Sequence, residues 1–135
     1  MDLKIPHLII AAAIILSLHL VGVFAGLYDS GTLIDVPQHV LGGAVLGAIW
    51  LSLLKLEEKN CLSKSLVLVS TLGFAVLGSV AWEVLEFVLW NLFPSFANSF
   101  KLYSPTVGEL LVDVASGLFG GLLVGLYAYK KEYGT

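Results

Sequence analysis

Four long apolar blocks, separated by short polar stretches, run the length of the chain. Inside a block the apolar residues follow one another, with neither the alternation of a half-buried strand nor the narrow stripe of a soluble amphipathic helix. A helix needs about 20 mostly apolar residues to cross a bilayer. The blocks at 6–27, 36–54, 66–93 and 106–129 meet that length. The pattern predicts an all-α polytopic membrane protein, a four-helix transmembrane bundle forming a single domain over residues 1–135. The first block exceeds a signal-peptide core of about 7–15 residues and reads as a retained helix.

Composition agrees. With 58% hydrophobic and 13% charged residues, the chain has too little polar surface for a soluble domain of this length. The net charge of −3 matters less than where the charges lie, and no nucleic-acid partner is expected. All basic residues besides histidine are lysines. Lys4 precedes the first span, Lys55, Lys59 and Lys64 separate the second from the third, and Lys130 and Lys131 follow the fourth; only Lys101 falls on the other side. Lysine-rich short loops stay cytoplasmic, so both termini are expected inside a cell (inner) membrane. The single Cys61 excludes an internal disulfide and reads as a free cytoplasmic thiol.

Trp90, Phe93, Phe96 and Tyr103 on the outer side, with Trp50, Tyr127 and Tyr129 on the inner, suit an interfacial aromatic belt. The aromatic segment 96–103 reads as a lid lying on the outer surface. Gly43 and Gly47, and Gly117, Gly121 and Gly125, have the small-xxx-small spacing that lets helices approach closely, within the chain or between copies in a homo-oligomer. Asp35-xxx-His39-xxx-Gly43 and Asp113-xxx-Gly117-xxx-Gly121 read as a faint parallel repeat of one helical hairpin.

The acids carry the functional signal. Asp35, Glu83, Glu86, Glu109 and Asp113 lie within the spans or at their outer ends. A carboxylate at a span centre costs about 2.5–3.5 kcal/mol on insertion scales, and such groups face protein or water. At a rise of about 1.5 Å per residue, Glu83, Glu86, Asp113, His39 and His19 fall in one layer of the outer leaflet. The pairs Asp35/His39, Glu83/Glu86 and Glu109/Asp113, at spacings of three or four, each share a helix face. Clustered carboxylates repel one another unless a proton or a cation is shared. No intramembrane lysine or arginine is present, so a divalent metal ion is the expected cofactor, with His39, Glu83, Glu86 and Asp113 as ligands and Asp35, Glu109 and His19 around them.

Plainer readings compete. Asp35 suits a helix N-cap, with Pro37 in the first turn and Gln38 completing a capping box. Thr106-Val-Gly-Glu109 is itself a capping-box pattern, the better reading of Glu109. His19 suits a hydrogen-bonded structural residue. Glu83 and Glu86 have no plain reading of equal quality, whereas Asp113 also suits a hydrogen-bond partner for one of them.

The ordered set Asp35-xxx-His39, Trp82-Glu83-xx-Glu86 and Asp113-xx-Ser116-Gly117-xx-Gly120 resembles the uncharacterised inner-membrane proteins of the YjdF type. More distantly it resembles the VanZ-like family, which is associated with glycopeptide-antibiotic resistance. The resemblance covers about residues 35–121 and supports the Asp35, His39, Glu83, Glu86, Asp113 set. Neither family implies an established reaction.

The expected function is a membrane-embedded metal-dependent enzyme, hydrolytic, acting on a lipid or lipid-linked headgroup at the outer leaflet. Glu83 or Glu86 would be the catalytic carboxylate. The alternatives are a cation or proton transporter and a non-catalytic binding protein for a cationic ligand.

Overall fold

A computed structural model describes residues 5–28, 34–56, 63–102 and 106–133. Lys4, Asp29, Lys59, Cys61 and Tyr103 lie outside the described residues. Among the described residues the elements are five helices: α1 (Ile5–Phe24), α2 (Asp35–Leu56), α3 (Lys64–Leu92), the short α4 (Pro94–Ser99) and α5 (Val107–Tyr133). All but α4 are long and apolar enough to span a bilayer, at Pro6–Phe24, Asp35–Leu54, Lys64–Leu92 and Val107–Lys131.

Local chemistry sets the helix ends. Gly26, at φ +65°, closes α1. The Leu27 N–H donates to Gly22 O and the Gly26 N–H to Val23 O, the paired bonds of a glycine-terminated helix. This reversal lays the Tyr28 ring against Gly22, where a Cβ would come within 2.9 Å of it. Pro37 sits in the first turn of α2, where its missing N–H leaves no bond unmade. Ser63 caps α3, accepting from the Leu66 N–H. Pro94 stops α3 and starts α4. Thr106 and Glu109 form the reciprocal capping box: the Thr106 N–H donates to Glu109 Oε2 at 2.8 Å, and the Glu109 N–H to Thr106 Oγ1 at 3.3 Å. Lys130 and Lys131 occupy the last turn of α5, where cations favour the helix dipole.

The bundle is a tight core of α2, α3 and α5 with α1 against α2 alone. In a bilayer, lipid chains are as apolar as leucine, so helices associate by close packing of small residues. Gly43 faces the Gly117 backbone and Gly47 faces Gly121, so α2 and α5 run parallel. A methyl group at Gly43 would overlap the Gly117 carbonyl oxygen, and one at Gly120 the Val40 carbonyl oxygen. Antiparallel to both, α3 lays down Thr71, Ala75, Ser79 and Glu83, the four buried residues of that helix, at a spacing of four. Thr71 meets Gly47 and Gly125, Ala75 meets Gly121, and Ser79 meets Gly117. The Thr71 and Ser79 hydroxyls donate back to Val67 O and Ala75 O and so reach this interface satisfied. Near the other end Trp50 donates to Ser70 Oγ at 2.9 Å and stacks on Phe74, tying α2 to α3.

These contacts consume the glycine faces inside one chain. The side-by-side, same-direction placement of α2 and α5 fits the repeat-like pattern read in the sequence, and both helices present their glycines to each other at one constant offset.

Candidate functional site

Packing positions the site. The offset that sets Gly43 against Gly117 and Gly47 against Gly121 also brings His39 level with Asp113, one turn nearer the α2 start. From α3, Glu83 ends the small-residue stripe at the same level. The His39 Nε2 atom lies 3.6 Å from Asp35 Oδ1, 3.7 Å from Glu83 Oε1 and 3.6 Å from Asp113 Oδ1. These distances are too long for hydrogen bonds. They suit donors that share an ion, since ligands at about 2.0–2.2 Å from one metal stand about 3–4 Å apart.

Among the described residues, Asp35, His39 and Asp113 each offer a donor atom within 4.8 Å of the other two. Glu83 reaches His39 from outside that triple. Its side chain is 2% exposed, and its Oε1 has no hydrogen-bond partner. A buried carboxylate oxygen without a partner is costly, so it marks a place where a cation or a donor belongs.

Asp35 and Glu86 both line the cavity that adjoins the cluster. Asp35, expected behind His39, stands in the triple; its side chain is 52% exposed and reaches the cluster from the first turn of α2. Glu86, expected as a ligand, lines a neighbouring cavity. A spacing of three residues leaves a rotation of about 60° between side chains on a helix. With Glu83 aimed at His39, that rotation sets Glu86 on the cavity wall, which Asp35 and His39 also line. Gln38 does not complete a capping box with Asp35; its amide donates to Tyr28 Oη at 2.8 Å and to Ile34 O at 3.4 Å. Glu109 is engaged in its own cap at Thr106.

His19 joins the site's edge through a defined relay. Its Nε2 lies 2.9 Å from Phe100 O, and its Nδ1 2.7 Å from Tyr28 Oη. A carbonyl only accepts, so Nε2 carries the proton and Nδ1 accepts from the phenol. Tyr28 in turn accepts from Gln38. Burial raises the Tyr28 phenol above its ordinary pKa, which keeps that donor proton in place. Both ring nitrogens of His19 are thus spoken for. The relay also ties α1 to the segment after α4.

The cavity, of ≈ 400 Å³, lies between α1, α2 and α3. Gly43 and Ser79 line it from the small-residue layer; Gly117 and the described residues of the 96–103 segment do not. The cavity is lateral: its walls hold no α4 or α5 residue, because α5 is pressed directly against α2 and α3 while α1 stands off from α3. Ala97 of α4 is buried, and Phe96 packs against Phe100 at 4.7 Å between ring centres.

Sequence reasoning missed the α3 stripe. Its signal was present as Thr71-xxx-Ala75-xxx-Ser79-xxx-Glu83, small residues at the helical spacing that lead to an acid.

A fold of four spanning helices around an acid–histidine cluster defines a polytopic membrane protein. The chain matches the family described as "Predicted membrane protein (DUF2238)" over residues 3–132, and it belongs to that family. This agrees with the coarser expectation of an uncharacterised membrane family. Neither the curated proteins nor the solved structures contain a match.

Proposed function

We propose that this protein is a membrane-embedded metal-dependent hydrolase acting on a lipid or lipid-linked headgroup in the outer leaflet. The observation that carries the reading is the ring of three carboxylate oxygens at 3.6–3.7 Å around His39 Nε2. Of these oxygens, Glu83 Oε1 is buried without a hydrogen-bond partner, which a cation would supply. Asp35, His39 and Asp113 would hold a divalent cation, a mixed oxygen and imidazole set suited to Mn, Fe, Zn or Mg. Such an ion supplies an activated water and polarises the ester or phosphoester oxygen. Glu83, outside the triple yet beside it, would serve as the general base for a water activated there and return the proton to the leaving oxygen. Glu86 and Asp35 face the cavity, where a headgroup would sit.

The layer beneath the cluster favours this over transport. Gly43 meets the Gly117 backbone there and the Ser79 side chain packs on Gly117, so α2, α3 and α5 are closely packed below the cluster. The narrower resemblance to YjdF-type and VanZ-like proteins belongs to the same proposal, since it rests on the same acids.

The test is turnover in nanodiscs made from total membrane lipid, with Mn²⁺, Zn²⁺ or Mg²⁺ added, followed by mass spectrometry of released headgroups. Release that needs metal and is lost in Glu83→Gln is expected. Release that persists in His39→Ala after chelation contradicts the reading.

A further inference from the structure

The lateral cavity has features that the metal cluster does not require. Ala12, Ile15 and Leu16 of α1 face Val45 and Leu46 of α2 and Trp82 of α3 across it. All of these positions lie inside the spans, so the surroundings are hydrocarbon. Because α1 packs on α2 and not on α3, the cleft between α1 and α3 opens sideways into the bilayer. At ≈ 400 Å³ the cavity is within the usual range for ligand sites, about 300–1,000 Å³.

Gly42 shows that the space is kept open. Its neighbour Gly43 is dictated by contact with the Gly117 backbone, whereas a Cβ at Gly42 would meet nothing within 4 Å. Gly42 lines the cavity. Glycine inside a helix costs about 1 kcal/mol relative to alanine, and here no helix contact demands it.

The polar end of the cavity selects by charge. Asp35 and Glu86 line it, together with Gln38, His19 and His39, and no lysine does; the protein has no arginine. Apart from the histidines, the only ionisable side chains lining the cavity are these two acids, so the fixed charge it can offer a headgroup there is negative. An anionic head would be repelled there and a cationic one attracted, strongly so in a low-dielectric setting.

We propose that the cavity binds a bilayer lipid with an ammonium head, its hydrocarbon chain lying between α1 and α3 and its ammonium group on Glu86. This names the substrate class of the proposed metal site and rests on that reading for its catalytic meaning. His39 and Asp35 are shared by the cavity and the cluster, so the head sits beside the metal position. Glu86 is the specificity residue; it distinguishes cationic from anionic heads.

The test uses two photoreactive probes with the same diazirine-bearing chain, one ending in a primary amine and one in a phosphate. The protein is held in micelles of an uncharged maltoside detergent, labelled positions are mapped by mass spectrometry, and metal content is measured on the same samples. The amine probe is expected to label around Ile15 and Leu46 and to exceed the phosphate probe about tenfold, the scale of one hydrogen bond to a charged group. Glu86→Gln removes that preference, and Gly42→Leu, which fills the cavity, blocks labelling; both variants keep the wild-type metal content. Equal labelling by both heads, or labelling that survives Gly42→Leu, overturns the proposal. Amine-selective labelling of a protein that holds no metal would leave this site standing and overturn the hydrolase reading instead.

Discussion

His39 Nε2 lies 3.6 Å from Asp113 Oδ1, one helical turn from the point where Gly43 meets the backbone of Gly117. The glycine contact fixes the depth of α2 against α5, and that depth places imidazole and carboxylate together. Site and scaffold therefore share one register.

A side chain at Gly43 should break this register. Gly43→Ala drives a methyl group into the Gly117 carbonyl, and overpacking of this kind costs about 1–3 kcal/mol. Gly42→Ala, one residue away and facing open space, should lose nothing. Thermal unfolding in detergent compares the two; equal losses would mean that the Gly43–Gly117 contact does not set the packing.

Glu83→Leu should separate function from stability. Without metal, the buried Glu83 carboxylate opposes Asp113 and Asp35, so the leucine variant should be at least as stable as the wild type. Adding a divalent ion should raise the wild-type midpoint, because the ion binds only the folded state. The variant should gain less. A metal-free Glu83→Leu protein that aggregates or melts far below wild type would assign Glu83 a structural hydrogen-bonding role.

The His19 relay should govern how firmly α1 is held. Tyr28→Phe removes the phenol that donates to His19 and accepts from Gln38. Each lost bond costs about 0.5–1.5 kcal/mol, and α1 has few other ties. Limited proteolysis near the end of α1 should accelerate while metal content stays at the wild-type level. Loss of metal in Tyr28→Phe would instead draw His19 into the cluster.

Much of this was legible in the chain because the bilayer simplifies the code. Span length and lysine placement mark the helices before any packing is known. The capping box at Thr106 and Glu109 was equally readable, because it is local. What stayed hidden depended on rotation between helices. Glu83 and Glu86 look equivalent in sequence, and only the packing of Ser79 on Gly117 decides which of them points at His39. Asp35 reads as a cap until α5 brings Asp113 beside it. The lateral cavity depends on α1 standing off from α3, which no pattern within either span encodes.

The orientation of the bundle follows from the lysines: both termini should be cytoplasmic and the cluster should lie in the outer leaflet. Alkaline phosphatase and fluorescent-protein fusions after Thr135 report it. A C-terminus outside the cell would move the cluster, and any substrate, to the cytoplasmic leaflet.

The most direct measurement is elemental analysis of protein purified without added metal, alongside His39→Ala prepared in the same way. The account predicts about one divalent ion per wild-type chain, bound tightly enough to survive purification, and its loss from the variant. A wild-type protein that carries no ion, and that no Mn²⁺, Fe²⁺, Zn²⁺ or Mg²⁺ stabilises on titration, would contradict it.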